Sequence, residues 1–189
     1  MLHIVYGGSA SGKSSYAESF AMSLQGEGRL LYIATMYPYK WNTTEIDPET
    51  MQRIERHRAM RADKGFDTVE CYRHVEHIVA KRQDVLLLEC MSNLLANEMY
   101  LEQDSDDGGL AETMSEVEKA GVGMSETLSP VSKKIVQALV NLSTRVQDVV
   151  IVTNDVFSDG GSLTYDESTR EYVKNLQRLT VHSHGRQQP

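Results

Sequence analysis

The sequence predicts an α/β fold of three layers, a mainly parallel sheet held between two layers of helices. Four short apolar runs, Leu2 to Tyr6, Leu30 to Ala34, Val85 to Leu88 and Val149 to Val152, read as buried strands. Segments of helical period lie between them, and a strand, helix and strand in succession imply a right-handed crossover and parallel pairing. The first run leads straight into a glycine-rich turn and then a helical stretch, L-H-I-V-Y-G-G-S-A-S-G-K-S-S at Leu2 to Ser15.

Gly7, Gly12, Lys13 and Ser14 satisfy the phosphate-loop pattern G-x-x-x-x-G-K-S/T in the strand, loop and helix context it requires. The expected fold is therefore phosphate-loop NTPase-like (RecA-like). Glycines let the backbone of Gly7, Gly8, Ser9, Ala10, Ser11 and Gly12 curl around a polyphosphate, so that N–H groups and the helix N-terminus converge on one anion. Lys13 is expected to reach the terminal phosphates. The Ser14 hydroxyl is expected to ligate Mg²⁺, a hard cation that prefers oxygen ligands and bridges phosphate oxygens. The loop alone does not say which phosphoryl or nucleotidyl chemistry follows.

Tyr16, Ala17, Phe20, Ala21 and Leu24 recur at helical spacing, and Gly26 to Gly28 stops that helix. After the second strand, Met36 to Thr44 is a loop carrying Tyr37, Tyr39 and Trp41, the only tryptophan; these rings either stack on a flat ligand or pack over a neighbouring helix. Asp47-Pro48-Glu49 starts a helix that runs to about Arg61, with Asp47 as N-cap and Pro48 at the first position. Arg53, His57 and Arg61 fall at i, i+4 and i+8, so one face presents an imidazole between two guanidiniums, a face suited to phosphates. The alternative is an ordinary solvated basic helix, weakened by the acidic chain, the central histidine and the phosphate loop upstream. Asp67 to Cys71 suggests a short strand, and Val75, Ile78 and Val79 a modest helix bearing His74 and His77, which read as surface residues and not metal ligands.

The third buried strand ends in Glu89-Cys90. Ligands gather at the carboxyl ends of parallel strands, and Glu89 there is expected to hold Mg²⁺ directly or through water. Leu94, Leu95, Met99 and Leu101 suggest a helix. No Lys or Arg occurs between Arg82 and Lys119, while acids accumulate around Gly108-Gly109, so residues near 103–127 read as a solvated, flexible insertion. Ser129-Pro130 caps a helix whose Val131, Ile135, Leu139, Val140 and Leu142 face a core. The fourth strand ends in Thr153-Asn154-Asp155, again at the carboxyl edge. Tyr172, Leu176 and Leu179 mark a last helix, and 180–189 reads as a disordered tail.

Composition limits the function classes. A chain of 189 residues, 40% hydrophobic and 24% charged, is expected to form one domain over about 1–179. A net charge of −8 gives no global basic field for nucleic acid or anionic membrane, so phosphates must be met locally. Met1 leads directly into a strand and no apolar stretch approaches membrane-spanning length, so membrane insertion is not expected. Cys71 and Cys90 read as reduced core thiols, and a cytoplasmic enzyme is the expectation.

Several separated segments together resemble one family. They are G-G-S-A-S-G-K-S at Gly7 to Ser14, Y-I-A-T at Tyr32 to Thr35, R-I-E-R-H-R at Arg53 to Arg58, T-V-E-C at Thr68 to Cys71, L-L-L-E-C at Leu86 to Cys90 and V-T-N-D-V at Val152 to Val156. The chain resembles the bifunctional adenosylcobinamide kinase and adenosylcobinamide-phosphate guanylyltransferase of cobalamin synthesis. The resemblance implies that a nucleoside triphosphate, ATP or GTP, phosphorylates adenosylcobinamide. GTP then donates GMP to the new phosphate through a GMP-histidine intermediate, giving adenosylcobinamide-GDP. The matching histidine is His57, and the family precedent implies a homotrimer. Neutral imidazole suits the role as a nucleophile towards an α-phosphate, with Arg53 and Arg61 disfavouring imidazolium and stabilising the anionic transition state, and Lys13 carrying the leaving pyrophosphate.

Departures from the family pattern are Ala62 for a common proline, Phe66 for a usual tryptophan, Asp155 for glutamate, and an ending V-H-S-H-G-R-Q-Q-P where relatives continue into a last apolar strand. Two alternatives stay open on sequence: a phosphate-loop kinase for another small metabolite, and a catalytically impaired GTP-binding remnant.

Overall fold

A computed structural model describes residues 1–8, 10–101 and 129–154. The expected insertion near 103–127, Asp155, the helix around Tyr172 and the tail lie outside them. The described residues form a five-stranded, all-parallel sheet in the order β1-β5-β4-β2-β3, where β1 is Leu2–Gly7, β2 Leu30–Ala34, β3 Phe66–Glu70, β4 Val85–Glu89 and β5 Asp148–Asn154. The helices are α1 (Lys13–Leu24), α2 (Pro48–Arg61), α3 (Met91–Tyr100) and α4 (Pro130–Arg145). This is the α/β architecture expected of a phosphate-loop NTPase-like domain.

Alternation along the strands divides the core into two layers. Leu30, Tyr32, Val85, Leu87, Val150 and Val152 point to one face, where Ala17 and Ala21 of α1 cover them. Leu31, Ile33, Leu86, Leu88, Val149 and Ile151 point to the other, packed against α3 and α4 through Leu94, Leu95, Ile135, Leu139 and Leu142. The register pairs Ala34 with Glu89 and Glu89 with Val152, so the carboxyl ends of β2, β4 and β5 finish side by side. Glu89 continues the alternation of Val85 and Leu87 and therefore belongs to the α1 face.

Glycine is required at two places. Gly12 adopts φ +82° at the start of α1, a left-handed conformation that costs an L-residue energy. A Cβ on Gly28 would lie 1.9 Å from the Gln83 carbonyl oxygen, so only glycine lets the turn into β2 cross that backbone. Asp47 caps α2 as expected, accepting from the Glu49 N–H (3.3 Å) and the Thr50 hydroxyl (2.6 Å). Ser129 caps α4 through the Ser132 N–H at 3.2 Å.

One expected helix is corrected. Val75, Ile78 and Val79 form only a 3₁₀ turn, Val75–His77, because His74 is left-handed before it and Ile78 is extended after it. With one turn hydrogen-bonded, there is no continuing ladder to offset the cost of nucleation. Among the described residues, no helix is long and apolar enough to cross a membrane.

Candidate active site

β1 delivers the loop, and α1 begins at Lys13 with no acidic residue in its first turn, leaving the amide N-terminus open to an anion. Gly7 closes β1 and Gly8 follows it; Ala10 and Ser11 are exposed, Ala10 with φ 55°, and Ser9 lies outside the described residues. Lys13 Nζ donates to the Gly8 carbonyl at 3.1 Å, which folds the ammonium back over the loop.

A cavity of about 260 Å³ opens beside this loop, and its lining brings together Lys13, Ser14, Arg53, His57, Arg61 and Glu89. The loop, the β4 terminus and the basic face of α2 thus meet at one place. The Ser14 hydroxyl donates to Glu89 Oε1 at 2.6 Å, and the Tyr32 hydroxyl donates to Glu89 Oε2 at 3.0 Å. Burial first, then the negative charge of Glu89, pushes the Tyr32 phenol far above the ordinary tyrosine range, so it stays protonated as a donor. Ser14 Oγ and the Glu89 carboxylate form an oxygen pair of the kind a hard cation takes, so these residues fit Mg²⁺.

Arg61 is 5% exposed, and its guanidinium carbon lies 3.4 Å from the centre of the Tyr32 ring. Its Nε and Nη1 have no hydrogen-bond partner among the described residues. A buried guanidinium with unsatisfied donors is costly unless an anion completes it, and it sits in the wall of a cavity that also holds Lys13. His57 is half-buried and Arg53 exposed on the same helix face. Thr35 secures the floor: its hydroxyl lies 3.0 Å from the Glu89 carbonyl oxygen and 3.1 Å from that of Cys90, and it accepts from the Cys90 N–H at 2.8 Å.

Further residues in and around the cavity complete the site. Arg58, next to His57, pairs with Glu70 at the end of β3, and Glu70 also accepts from the Tyr72 hydroxyl at 2.8 Å. Asn154 reaches the lining from β5 and donates to Ser92 Oγ at 2.9 Å. Lys64, just past α2, pairs with buried Glu18 of α1. Cys71 and Cys90 are both free thiols, and burial pushes the Cys71 thiol up to about 11, which keeps it inert.

His77 is exposed, but His74 has more company than the sequence suggests. Ligand atoms of His74, Glu76 and Glu98 lie within 4.8 Å of one another. Lys134 Nζ occupies the same cluster, 3.1 Å from His74 Nδ1 and 3.0 Å from Glu98 Oε2, and supplies the positive charge. The carboxylate partner is remote in sequence, so local spacing could not reveal it.

Comparison with known proteins identifies the family. The cobinamide kinase / cobinamide phosphate guanyltransferase (CobU) family matches residues 3–184. The bifunctional adenosylcobalamin biosynthesis protein CobU of Escherichia coli (strain K12) is 32% identical over 103 residues, covering 53% of this chain and 51% of that protein. The protein of the same name from Salmonella typhimurium is 33% identical over 104 residues, again 53% and 51%. In these alignments the chain spans about half the length of the curated relatives it matches. With a family match across nearly the whole sequence, the chain belongs to the cobinamide kinase / cobinamide phosphate guanyltransferase family.

Proposed function

We propose that this chain phosphorylates adenosylcobinamide with a nucleoside triphosphate and then transfers GMP from GTP to the product through a histidine-GMP intermediate on His57. The observation that carries the proposal is the shared cavity, in which the phosphate loop, Glu89 and the Arg53, His57 and Arg61 face of α2 all take part. A kinase alone needs the loop; a nucleophilic imidazole over the same phosphates supplies the second reaction.

In the transfer, a neutral ring nitrogen of His57 attacks the α-phosphorus. A phosphorus–nitrogen bond forms, the bond to the bridging α–β oxygen breaks, and pyrophosphate leaves with that electron pair. The phosphate oxygen of adenosylcobinamide phosphate then attacks the same phosphorus, and the bond to His57 breaks to regenerate imidazole and release adenosylcobinamide-GDP. Arg53 and Arg61 stabilise charge on the α-phosphate oxygens, and Lys13 stabilises the departing pyrophosphate. Held by Ser14 and Glu89, Mg²⁺ would neutralise phosphate oxygens.

Labelling with GTP carrying a marked α-phosphate tests the assignment. His57→Ala should abolish the covalent GMP adduct while some phosphorylation of adenosylcobinamide persists. An undiminished adduct in that variant would remove His57 from the mechanism.

A further inference from the structure

The two halves of the proposed chemistry meet on one side chain. Tyr32 carries the Arg61 guanidinium on its ring face, with the central carbon 3.4 Å from the ring centre, and donates its hydroxyl to Glu89 Oε2 at 3.0 Å. We infer that Tyr32 is a positioning residue that couples the two half-sites: its hydroxyl sets the Glu89 carboxylate beside the phosphate loop, and its ring sets Arg61, and with it His57, over the phosphates. The inference deepens the two-step reaction proposed above and rests on it.

Tyr32 is itself held firmly enough to serve as a reference point. It lies in the middle of β2, paired with Thr68 of β3 and Leu87 of β4, and is 4% exposed. Phe66 braces its ring edge to face, with 6.0 Å between centres. A side chain packed on all sides keeps its rotamer. The rings of the nearby loop pack among their aromatic neighbours instead: Tyr37 meets Tyr39 and Tyr72 edge to face, each at 5.4 Å, and Trp41 meets Tyr100 at 6.2 Å. Among the described residues, Tyr32 is the ring with a cation on its face and a carboxylate at its hydroxyl.

The hydroxyl acts on orientation. The Glu89 carboxylate accepts from Ser14 on Oε1 at 2.6 Å and from Tyr32 on Oε2, so a donor on each oxygen fixes the plane of the group and leaves further lone pairs for a cation. Without the phenol, the carboxylate is free to turn about its bond to Ser14. Groups that orient a metal-holding carboxylate in this way govern metal affinity without touching the metal.

The ring acts on α2. Arg61 is the only buried residue of that helix, so the height of α2 over the sheet depends on what Arg61 rests upon. His57 lies one helical turn away on the same face, about 6 Å along the axis. A guanidinium flat on an aromatic face is a favourable stack that uses none of its N–H donors. Nε and Nη1 therefore stay without a protein partner among the described residues, in the wall of the cavity, where an anion would complete them.

Calorimetry of the full chain with inorganic tripolyphosphate, with and without Mg²⁺, reads the two arms separately. Tyr32→Phe keeps the ring and loses the hydroxyl. Its metal-free affinity should match the parent, while the affinity gained on adding Mg²⁺ should be roughly tenfold smaller. Tyr32→Leu loses both groups, so metal-free affinity should also fall roughly tenfold. At saturating Mg²⁺ the yield of the GMP adduct should fall in Tyr32→Leu and persist in Tyr32→Phe. Should Tyr32→Leu fail to fold, Arg61→Lys, which keeps the charge and loses the flat stack, should reproduce the metal-free loss. An unchanged gain from Mg²⁺ in Tyr32→Phe, or parent-like metal-free binding when the stack is lost, overturns the inference. Equal losses with and without Mg²⁺ in Tyr32→Phe would reduce Tyr32 to core packing and overturn it as well. A parent that binds tripolyphosphate but forms no GMP adduct would refute the proposed transfer, and the calorimetric arms, which need no turnover, would still decide the role of Tyr32. A parent that binds no tripolyphosphate would sink both.

Discussion

The two ends of the sheet treat buried charge in opposite ways. At the amino ends, Asp84 is 1% exposed and fully engaged: it accepts from the Arg29 guanidinium at 2.6 Å, the Arg29 N–H at 3.0 Å and the Lys81 N–H at 2.8 Å. Asp148 beside it is held by His3 at 2.8 Å and the terminal amine at 3.2 Å. At the carboxyl ends, buried Arg61 leaves two donors unpaired, and the Thr153 hydroxyl is likewise unpaired among the described residues. One end pairs its buried charges fully; the other leaves the Arg61 donors and the Thr153 hydroxyl without a protein partner among the described residues.

The helices repeat the contrast. α4 buries Ile135, Val136, Ala138, Leu139 and Leu142, whereas Arg61 is the only buried residue of α2. α2 is held over the sheet largely by polar contacts, Arg61 on Tyr32 and Arg58 with Glu70. Few buried apolar contacts mean low local stability, which suits the transfer role proposed above for His57 on this helix.

The largest expected effect on stability comes from the satisfied end. Asp84→Ala strands the Arg29 and Lys81 donors and should cost about 2–3 kcal/mol, at the lower limit for a broken buried pair because the Arg29 side chain is 43% exposed and can turn to water. Urea unfolding measures the loss, and tripolyphosphate affinity in the folded variant should match the parent. A stability-neutral result would erase the distinction between the two ends.

Arg61→Met should show the reverse pattern. Removing two unsatisfied donors offsets the lost cation–π contact, so urea stability without ligand should be unchanged or higher by up to about 1 kcal/mol. Affinity for tripolyphosphate should fall roughly 10- to 100-fold, the worth of charge-assisted hydrogen bonds to a phosphate. A large stability loss with normal binding would make Arg61 a structural residue like Asp84.

The ligand end was the more legible in the sequence, since its signals are local. The loop, the Asp47-Pro48 cap, the helical spacing of Arg53, His57 and Arg61, and Glu89 at the end of an apolar run each occupy a few consecutive positions. Their convergence followed from parallel strands sharing a carboxyl edge. Tyr32 escaped notice because a tyrosine in an apolar strand reads as core filling; only the structure lays Arg61 on its face and Glu89 at its hydroxyl. Asp84 escaped because an acid before a strand reads as solvent-exposed, and its partner Arg29 is 55 residues away. β3, F-D-T-V-E, was faint because a sheet-end strand buries little, and its limits shifted by one residue.

The smallest expected effect is a slope, and it too separates the two ends. Burial alone would raise the Asp84 carboxyl, but the Arg29 guanidinium and the two backbone N–H groups outweigh it, so the folded carboxyl lies below its usual range. Asp148 follows the same pattern, its burial outweighed by His3 and the terminal amine. A carboxyl depressed by folding contributes stability that is complete above the unfolded value of about 3.9 and is lost as pH falls through the folded one. Asp47 at the start of α2 is also held below its usual range, first by the Thr50 hydroxyl; urea stability should therefore drop with acid below about pH 4, and Asp84→Asn should flatten that slope by removing one of these three carboxyls. Tyr32 at the opposite end is shifted far upward, so it remains a neutral donor to Glu89 across this window and its substitution by Phe should leave the acid slope of stability unchanged. A Tyr32→Phe profile as flat as that of Asp84→Asn would show that acid lability is shared by both ends, and the division between a structural edge and a ligand edge would have to be redrawn.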